Sequence, residues 1–140
     1  IPNREVIEGK TMIFLDDSIV RGTQLKDNTV NLRKSGATRV HMRIACPPLL
    51  YPCVFLNFSQ SRTPMELAGR KAIYELEGDI TDLKEYSDPD SEKYAIMVEK
   101  IAEMLDLDSL MYQRLDDLVE AIGLPKEKLC THCWDGSGYF

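Results

Sequence analysis

Apolar and polar positions follow two rhythms along this chain, one of period two and one of helical period. After a polar lead-in over residues 1–9, Met12-Ile13-Phe14-Leu15 forms an unbroken apolar run that ends in Asp16-Asp17. That pattern predicts a strand over 10–15, buried in a parallel sheet. Leu25, Thr29 and Leu32 then recur at helical spacing through 24–34, and Ser35-Gly36 supplies a left-handed stop. A second strand is predicted over 39–45, where His41 falls at an alternating position with a structural role. Strand, helix and strand at this spacing make a βαβ unit, with parallel pairing and a right-handed crossover. Pro47-Pro48 ends the regular pairing.

The second half reads as mostly helical. Tyr51-Pro52-Cys53-Val54-Phe55-Leu56 is a further apolar stretch and a candidate short strand. Thr63-Pro64-Met65-Glu66 has the form of a helix start, with Thr63 as N-cap, Pro64 at the first helical position and Glu66 closing a capping box. Ala68, Ala72 and Leu76 would form the inner face of that helix. Residues 75–90 read as an acidic, solvated connection. Tyr94, Met97, Val98, Ile101, Met104 and Leu105 give 91–105 the clearest amphipathic stripe. A short strand follows at 108–112, and then a last helix lined by Leu115, Leu118, Val119 and Ile122, which Gly123 and Pro125 terminate. The expected architecture is α/β: a Rossmann-like βαβ core over 1–60 and a mostly helical region over 61–140.

Composition narrows the function classes. At 140 residues the chain has room for one domain with a real core. It opens Ile1-Pro2-Asn3 without an initiator Met and reaches its first strand almost at once, as a piece of a longer protein would. No apolar run approaches a membrane span and no segment resembles a signal peptide, so the expected location is cytoplasmic and the expected partners exclude membranes. A formal charge of −6, from 23 acids against 17 bases, disfavours a nucleic-acid surface. A phosphate-rich small ligand would then be held locally, by amides, Arg21 and a metal ion. Four cysteines in such a chain read as thiols or metal ligands before disulfides.

The chemistry concentrates where the first strand ends. In open α/β sheets, ligands bind outside the carboxyl ends of the strands, and Asp16 and Asp17 stand at that position. Adjacent carboxylates there can accept hydrogen bonds from the vicinal hydroxyls of a ribose or approach a Mg²⁺-bound substrate. Ser18 and Thr23 offer hydroxyls, Gly22 lets backbone approach closely, and the N–H groups opening the next helix attract an anion. The run Asp16-Asp17-Ser18-Ile19-Val20-Arg21-Gly22-Thr23 resembles the phosphoribosylpyrophosphate (PRPP) signature of the type I phosphoribosyltransferases, and most closely that of the glutamine PRPP amidotransferases. The resemblance implies a partial phosphoribosyltransferase domain with a helical C-terminal extension. It also implies a ribose held on Asp16 and Asp17 with Mg²⁺, and a 5′-phosphate held on Ser18 to Thr23.

The cysteines extend the resemblance. Cys46, Cys53 and the pair Cys130-Thr131-His132-Cys133 follow one another in the chain, and a Cys-x-x-Cys alone is ambiguous between metal, redox couple and chance. The amidotransferase family shows the same order of features: PRPP loop, Pro-Pro, Tyr-Pro-Cys, Asp-Ser-Leu and Leu-Cys-x-x-Cys-Trp. In members that carry a [4Fe–4S] cluster, ligands stand at the positions of Cys53, Cys130 and Cys133. A fourth ligand lies upstream of this chain, and Zn²⁺ is the alternative occupant. Cys46 replaces the family's Ser, as a substitute ligand or as a small buried residue, the second being favoured. His132 reads as a flanking surface residue. Gln24 in place of a Thr and the run 57–62 depart from the family pattern. The resemblance implies pyrophosphate as product, inhibition by purine nucleotides of the AMP or GMP type, and a homo-oligomer. It places a glutaminase domain and further transferase strands upstream. A paralogue that only senses PRPP is the rival reading.

Overall fold

The computed structural model describes residues 3–53, 55 and 64–137. Val54, Leu56, the divergent run 57–62 and the expected N-cap Thr63 lie outside them. The lead-in is a single turn of helix, α1 (Arg4–Ile7), capped by the Asn3 side chain and tucking Ile7 into the core. Strand β1 (Thr11–Asp16) is followed by helix α2 (Thr23–Lys34) and strand β2 (Arg39–Ile44). Gly36, at φ 93°, makes the left-handed exit from α2. Strands β1 and β2 pair in parallel, from Thr11 against Arg39 to Asp16 against Ile44. The strand β3 (Ser109–Tyr112) adds to β2, again in parallel, giving the order β1-β2-β3.

The crossover from β2 to β3 contains the helices. Pro64–Glu66 forms one 3₁₀ turn before α3 (Ala68–Glu77), so the α-helix starts later than Thr63-Pro64 suggests. Ala68, Ala72 and Ile73 face inward, whereas Leu76 is 39% exposed. The stretch expected to be a solvated connection instead holds α4 (Lys84–Ser87), with Leu83 and Tyr86 buried. Acids on its surface disguise two core side chains. Helix α5 (Glu92–Met104) starts on an N-cap bond from the Tyr94 amide to Ser91 Oγ, and buries Met97 and Ile101 completely. Among the described residues, Tyr51–Cys53 forms no strand. The last helices are α6 (Leu115–Ile122), which buries none of its apolar stripe, and α7 (His132–Asp135).

One core joins the sheet to α2, α3 and α5, with Val40, Met42, Ile44, Leu110, Leu32 and Ile101 among its members. At the amino ends of the strands, Arg33 bonds the carboxylates of Asp106 and Asp108, and Asp108 accepts the Val40 N–H at 2.7 Å. These contacts tie α2 to both later strands, away from the ends that carry the acids. The expected double-sided burial of β1 is not met: Ile13 and Leu15 are 63% and 82% exposed. No helix among the described residues is long and apolar enough to cross a membrane.

Candidate functional site

At the carboxyl end of β1 the backbone leaves the sheet and enters α2 through a short loop, with Ile19 as its anchor. Ile19 is only 3% exposed, so its side chain is a core peg and not a ligand contact. The two acids before it stand in solvent. Asp16 Oδ1 accepts the Asp17 N–H at 2.9 Å, Ser18 Oγ bonds Asp17 Oδ1 at 3.4 Å, and the Asp16 carbonyl accepts the Ala45 N–H at 2.9 Å. The acid pair is therefore ordered from its own loop and from β2, while its carboxylates stay open to a ligand.

Helix α2 begins at Gly22, which sits in the left-handed region at φ 77° with no side-chain cap, and the first turn holds no acid. The Lys26 N–H returns to the Gly22 carbonyl at 3.0 Å, so the amides ahead of it have no intrahelical acceptor. Most helix starts recruit a Ser, Thr, Asp or Asn oxygen at this point. Here the turn leaves aligned amides to an outside anion. A cavity of about 430 Å³ lies over them, lined by Asp16, Ser18, Val20, Arg21, Gly22, Thr23, Gln24, Leu25 and Asn28. Of the residues expected from the sequence, Asp17 and Ile19 do not line it. Gln24, Leu25 and Asn28 are additions to that set, the polar ones being Gln24 and Asn28. Their sequence signal is the i, i+4 spacing that sets Asn28 one helical turn beyond Gln24. A larger groove of about 930 Å³ runs between α1, β1 and α2, but its lining is apolar apart from amides, hydroxyls and Lys34. The concentration of acid, hydroxyl and amide groups makes the smaller cavity the chemical site.

The rear of the loop is fixed. The Ala68 N–H donates to the Val20 carbonyl at 2.8 Å, Arg21 pairs with Glu66 at 2.8 Å, and a Cβ on Gly22 would come within 2.9 Å of Leu105. Glu66, expected as a capping-box residue, faces the phosphate loop.

The cysteines divide into a group and an outlier. Cys53, Cys130 and Cys133 come together near the C-terminal segment. Burial first, then the neighbouring Cys53 and Cys130, push the Cys133 thiol up to about 12. Cys53 Sγ also accepts the Phe55 N–H at 3.4 Å, and the Cys133 carbonyl accepts the N–H groups of Leu50 and Tyr51 at 2.9 and 3.1 Å. An all-thiol donor set with an amide bonded to sulfur suits iron–sulfur ligation. It holds three thiols where a closed site has four. Among the described residues, no three His, Cys, Asp or Glu side chains meet as the ligands of a single metal ion do. Cys46 lies elsewhere, with Sγ donating to the Pro47 carbonyl at 3.3 Å. Burial raises its thiol to about 11, the Trp134 side chain opposes the rise, and Asp17 and Asp16 add to it. It thus belongs to the strand-end surroundings and not to the thiol group. His132 is half-buried with its ring 5.8 Å from that of Tyr51, not a surface flank. His41 Nδ1 and Ser109 Oγ are 2.8 Å apart across β2 and β3, in keeping with a structural histidine.

A parallel sheet, an acid pair at a strand's carboxyl end and an uncapped helix start joined by a Ser-to-Thr loop define the type I phosphoribosyltransferase fold. Comparison with solved structures gives the same class: the chain matches a glutamine PRPP amidotransferase from B. subtilis, solved with ADP and GMP, with a TM-score of 0.68 and 27% identity over 96% of this chain and 25% of that one. Within the class, its sequence relatives are amidophosphoribosyltransferases. It is 34% identical to that of Methanothermobacter thermautotrophicus over 135 residues, and 35% identical to that of Mycobacterium tuberculosis over 136 residues. Each match covers 96% of this chain, which spans 23% and 22% of those relatives. No protein-family model matches.

Proposed function

We propose that these residues form the PRPP-binding portion of an amidophosphoribosyltransferase, which converts PRPP, glutamine and water to 5-phosphoribosylamine, pyrophosphate and glutamate. The observation that carries this reading is the acid pair set beside an uncapped helix start, in a chain whose relatives carry that name. The C1–O bond to pyrophosphate breaks, a C1–N bond to ammonia forms, and positive charge develops on the ribose ring between the two. Positioning and charge stabilisation then do most of the catalysis.

In this reading Asp16 and Asp17 accept hydrogen bonds from the ribose hydroxyls and place negative charge beneath the ring. Ser18, Thr23 and the α2 amides bind the 5′-phosphate, assisted by Arg21, while Ile19 and Val20 hold the loop's shape. The exposed carboxylates suit a hard cation. Mg²⁺ held there with the substrate supplies neutralisation of the pyrophosphate leaving group. Pyrophosphate contacts, the ammonia source, the nucleotide-inhibitor sites and the subunit contacts of a homo-oligomer are assigned to the rest of the protein. Cys53, Cys130 and Cys133 would hold three corners of a [4Fe–4S] cluster in the full-length protein.

The test is glutamine-dependent pyrophosphate release from Mg²⁺-PRPP by the full-length protein. Release that requires glutamine or ammonia supports the reading. PRPP binding without release would make the protein a sensor, and neither binding nor release would refute a PRPP site.

A further inference from the structure

Arg21 lines the phosphate cavity, yet its guanidinium already has a partner: Nη2 lies 2.8 Å from Glu66 Oε2, with the two side chains 50% and 34% exposed. Glu66 does not line the cavity. Its backbone is held in place next to the loop. Leu67 and Ala68 are buried, and the Ala68 N–H bonds the Val20 carbonyl at 2.8 Å. The carboxylate therefore reaches the site through Arg21 and not by lining it. Among the described residues Arg21 is also the only cation in the cavity lining, so its pairing decides how much positive charge an incoming phosphate meets.

We infer that Glu66 is an internal counter-ion for the phosphate loop: it holds Arg21 in the free protein and yields the guanidinium to the ligand's phosphate. The inference rests on the phosphate-loop reading above. A half-exposed ion pair is weak, whereas an arginine–phosphate pair is charge-assisted and often bidentate. Phosphate therefore wins the competition, at the cost of the displaced pair. Glu66 sets the affinity below what the loop alone would give, which favours release of the phosphorylated product.

The probe is ribose 5-phosphate, titrated calorimetrically into the full-length protein without Mg²⁺ at fixed ionic strength. Glu66→Gln should tighten binding about two- to five-fold, the worth of such a pair, and Glu66→Asp, whose shorter reach withdraws the charge from Arg21, should tighten it less. Arg21→Gln should weaken binding, and adding Glu66→Gln to Arg21→Gln should change nothing further. Thermal melts of each variant separate a binding effect from unfolding. Weaker or unchanged binding in Glu66→Gln, or equal tightening with and without Arg21, would overturn the inference. Failure of the wild type to bind the probe would overturn the phosphate-loop reading as well. Wild-type binding that Arg21→Gln weakens and Glu66→Gln leaves alone would sink this inference only.

Discussion

Replacing Gly22 by Ala tests whether the phosphate loop is shaped by backbone conformation and by what lies behind it. Gly22 adopts φ +77°, and an added Cβ would meet Leu105 Cδ2 at 2.9 Å. A left-handed non-glycine residue costs ~1–2 kcal/mol. Leu105 is 4% exposed, so it yields only by leaving its rotamer, at ~0.5–1.5 kcal/mol. The sum is roughly 1.5–3.5 kcal/mol. Gly9 provides the control, because it has φ +71° and nothing lies within 4 Å of the point where a Cβ would stand. Gly9→Ala pays the conformational term alone, and both changes reduce unfolded-state entropy alike. Urea unfolding followed by Trp134 fluorescence should thus rank Gly22→Ala below Gly9→Ala by about 1 kcal/mol. Adding Leu105→Ala should recover that difference as a coupling energy. Equal losses at Gly9 and Gly22 would refute the argument that Leu105 fixes the loop.

Asp16→Asn with Asp17→Asn removes two exposed charges at near-constant shape, so PRPP turnover by the full-length protein should fall by orders of magnitude while the melting temperature holds; an unchanged rate would reduce the acids to solvated surface. Asp108 is held below the usual carboxylate range, first by the Val40 N–H and also by Arg33, against its desolvation. A depressed carboxylate stabilises the fold fully above its unfolded pKa of about 4 and loses that contribution as pH falls through its lower folded value. Asp108→Asn should therefore melt earlier at neutral pH and show a shallower loss below about pH 4, whereas parallel melting curves would contradict the assignment. Cys46→Ser should leave iron content and visible absorbance of the anaerobically prepared full-length protein unchanged, and Cys133→Ser should abolish both; the reverse order would move the metal to the strand end.

Much of the fold was legible because local signals agreed with tertiary demand. The run Met12–Leu15, the Leu25, Thr29 and Leu32 stripe and the Met97, Ile101 and Met104 stripe each predict an element that forms. The failures have identifiable causes. Leu83 and Tyr86 were hidden among acids because a short helix buries two side chains while its remaining surface stays charged. Glu66 has the spacing of a capping residue, and its pairing with Arg21 was not legible because it joins positions 45 apart in the chain. Asp16, Ser18, Gly22 and Thr23 could be placed at one cavity because strand end, turn and helix start are consecutive in sequence. Asn28 was missed because helical phase, not adjacency, puts it at the cavity.

The sheet explains why the apolar pattern of β1 overstates its burial. Successive parallel connections that step β1 to β2 to β3 in one direction are both right-handed, so α2 and α5 pack on the same side. Met12 and Phe14 meet that side. Ile13 and Leu15 point to the other, where Met111 is 58% exposed and His41 and Arg43 bond Ser109. A parallel strand whose neighbouring residues are all apolar carries the pattern of two covered faces, and the described residues cover one. The consequence for the site is mechanical. Among the described residues β1 pairs with β2 alone, so the position of Asp16 and Asp17 rests on that single ladder, on the Ala45 N–H bond to Asp16, and on the loop's attachment to Ala68 and Glu66. The loop beyond the acids is held to α3 at Val20 and to Glu66 at Arg21, and of the two acids Asp16 lines the cavity over the α2 amides.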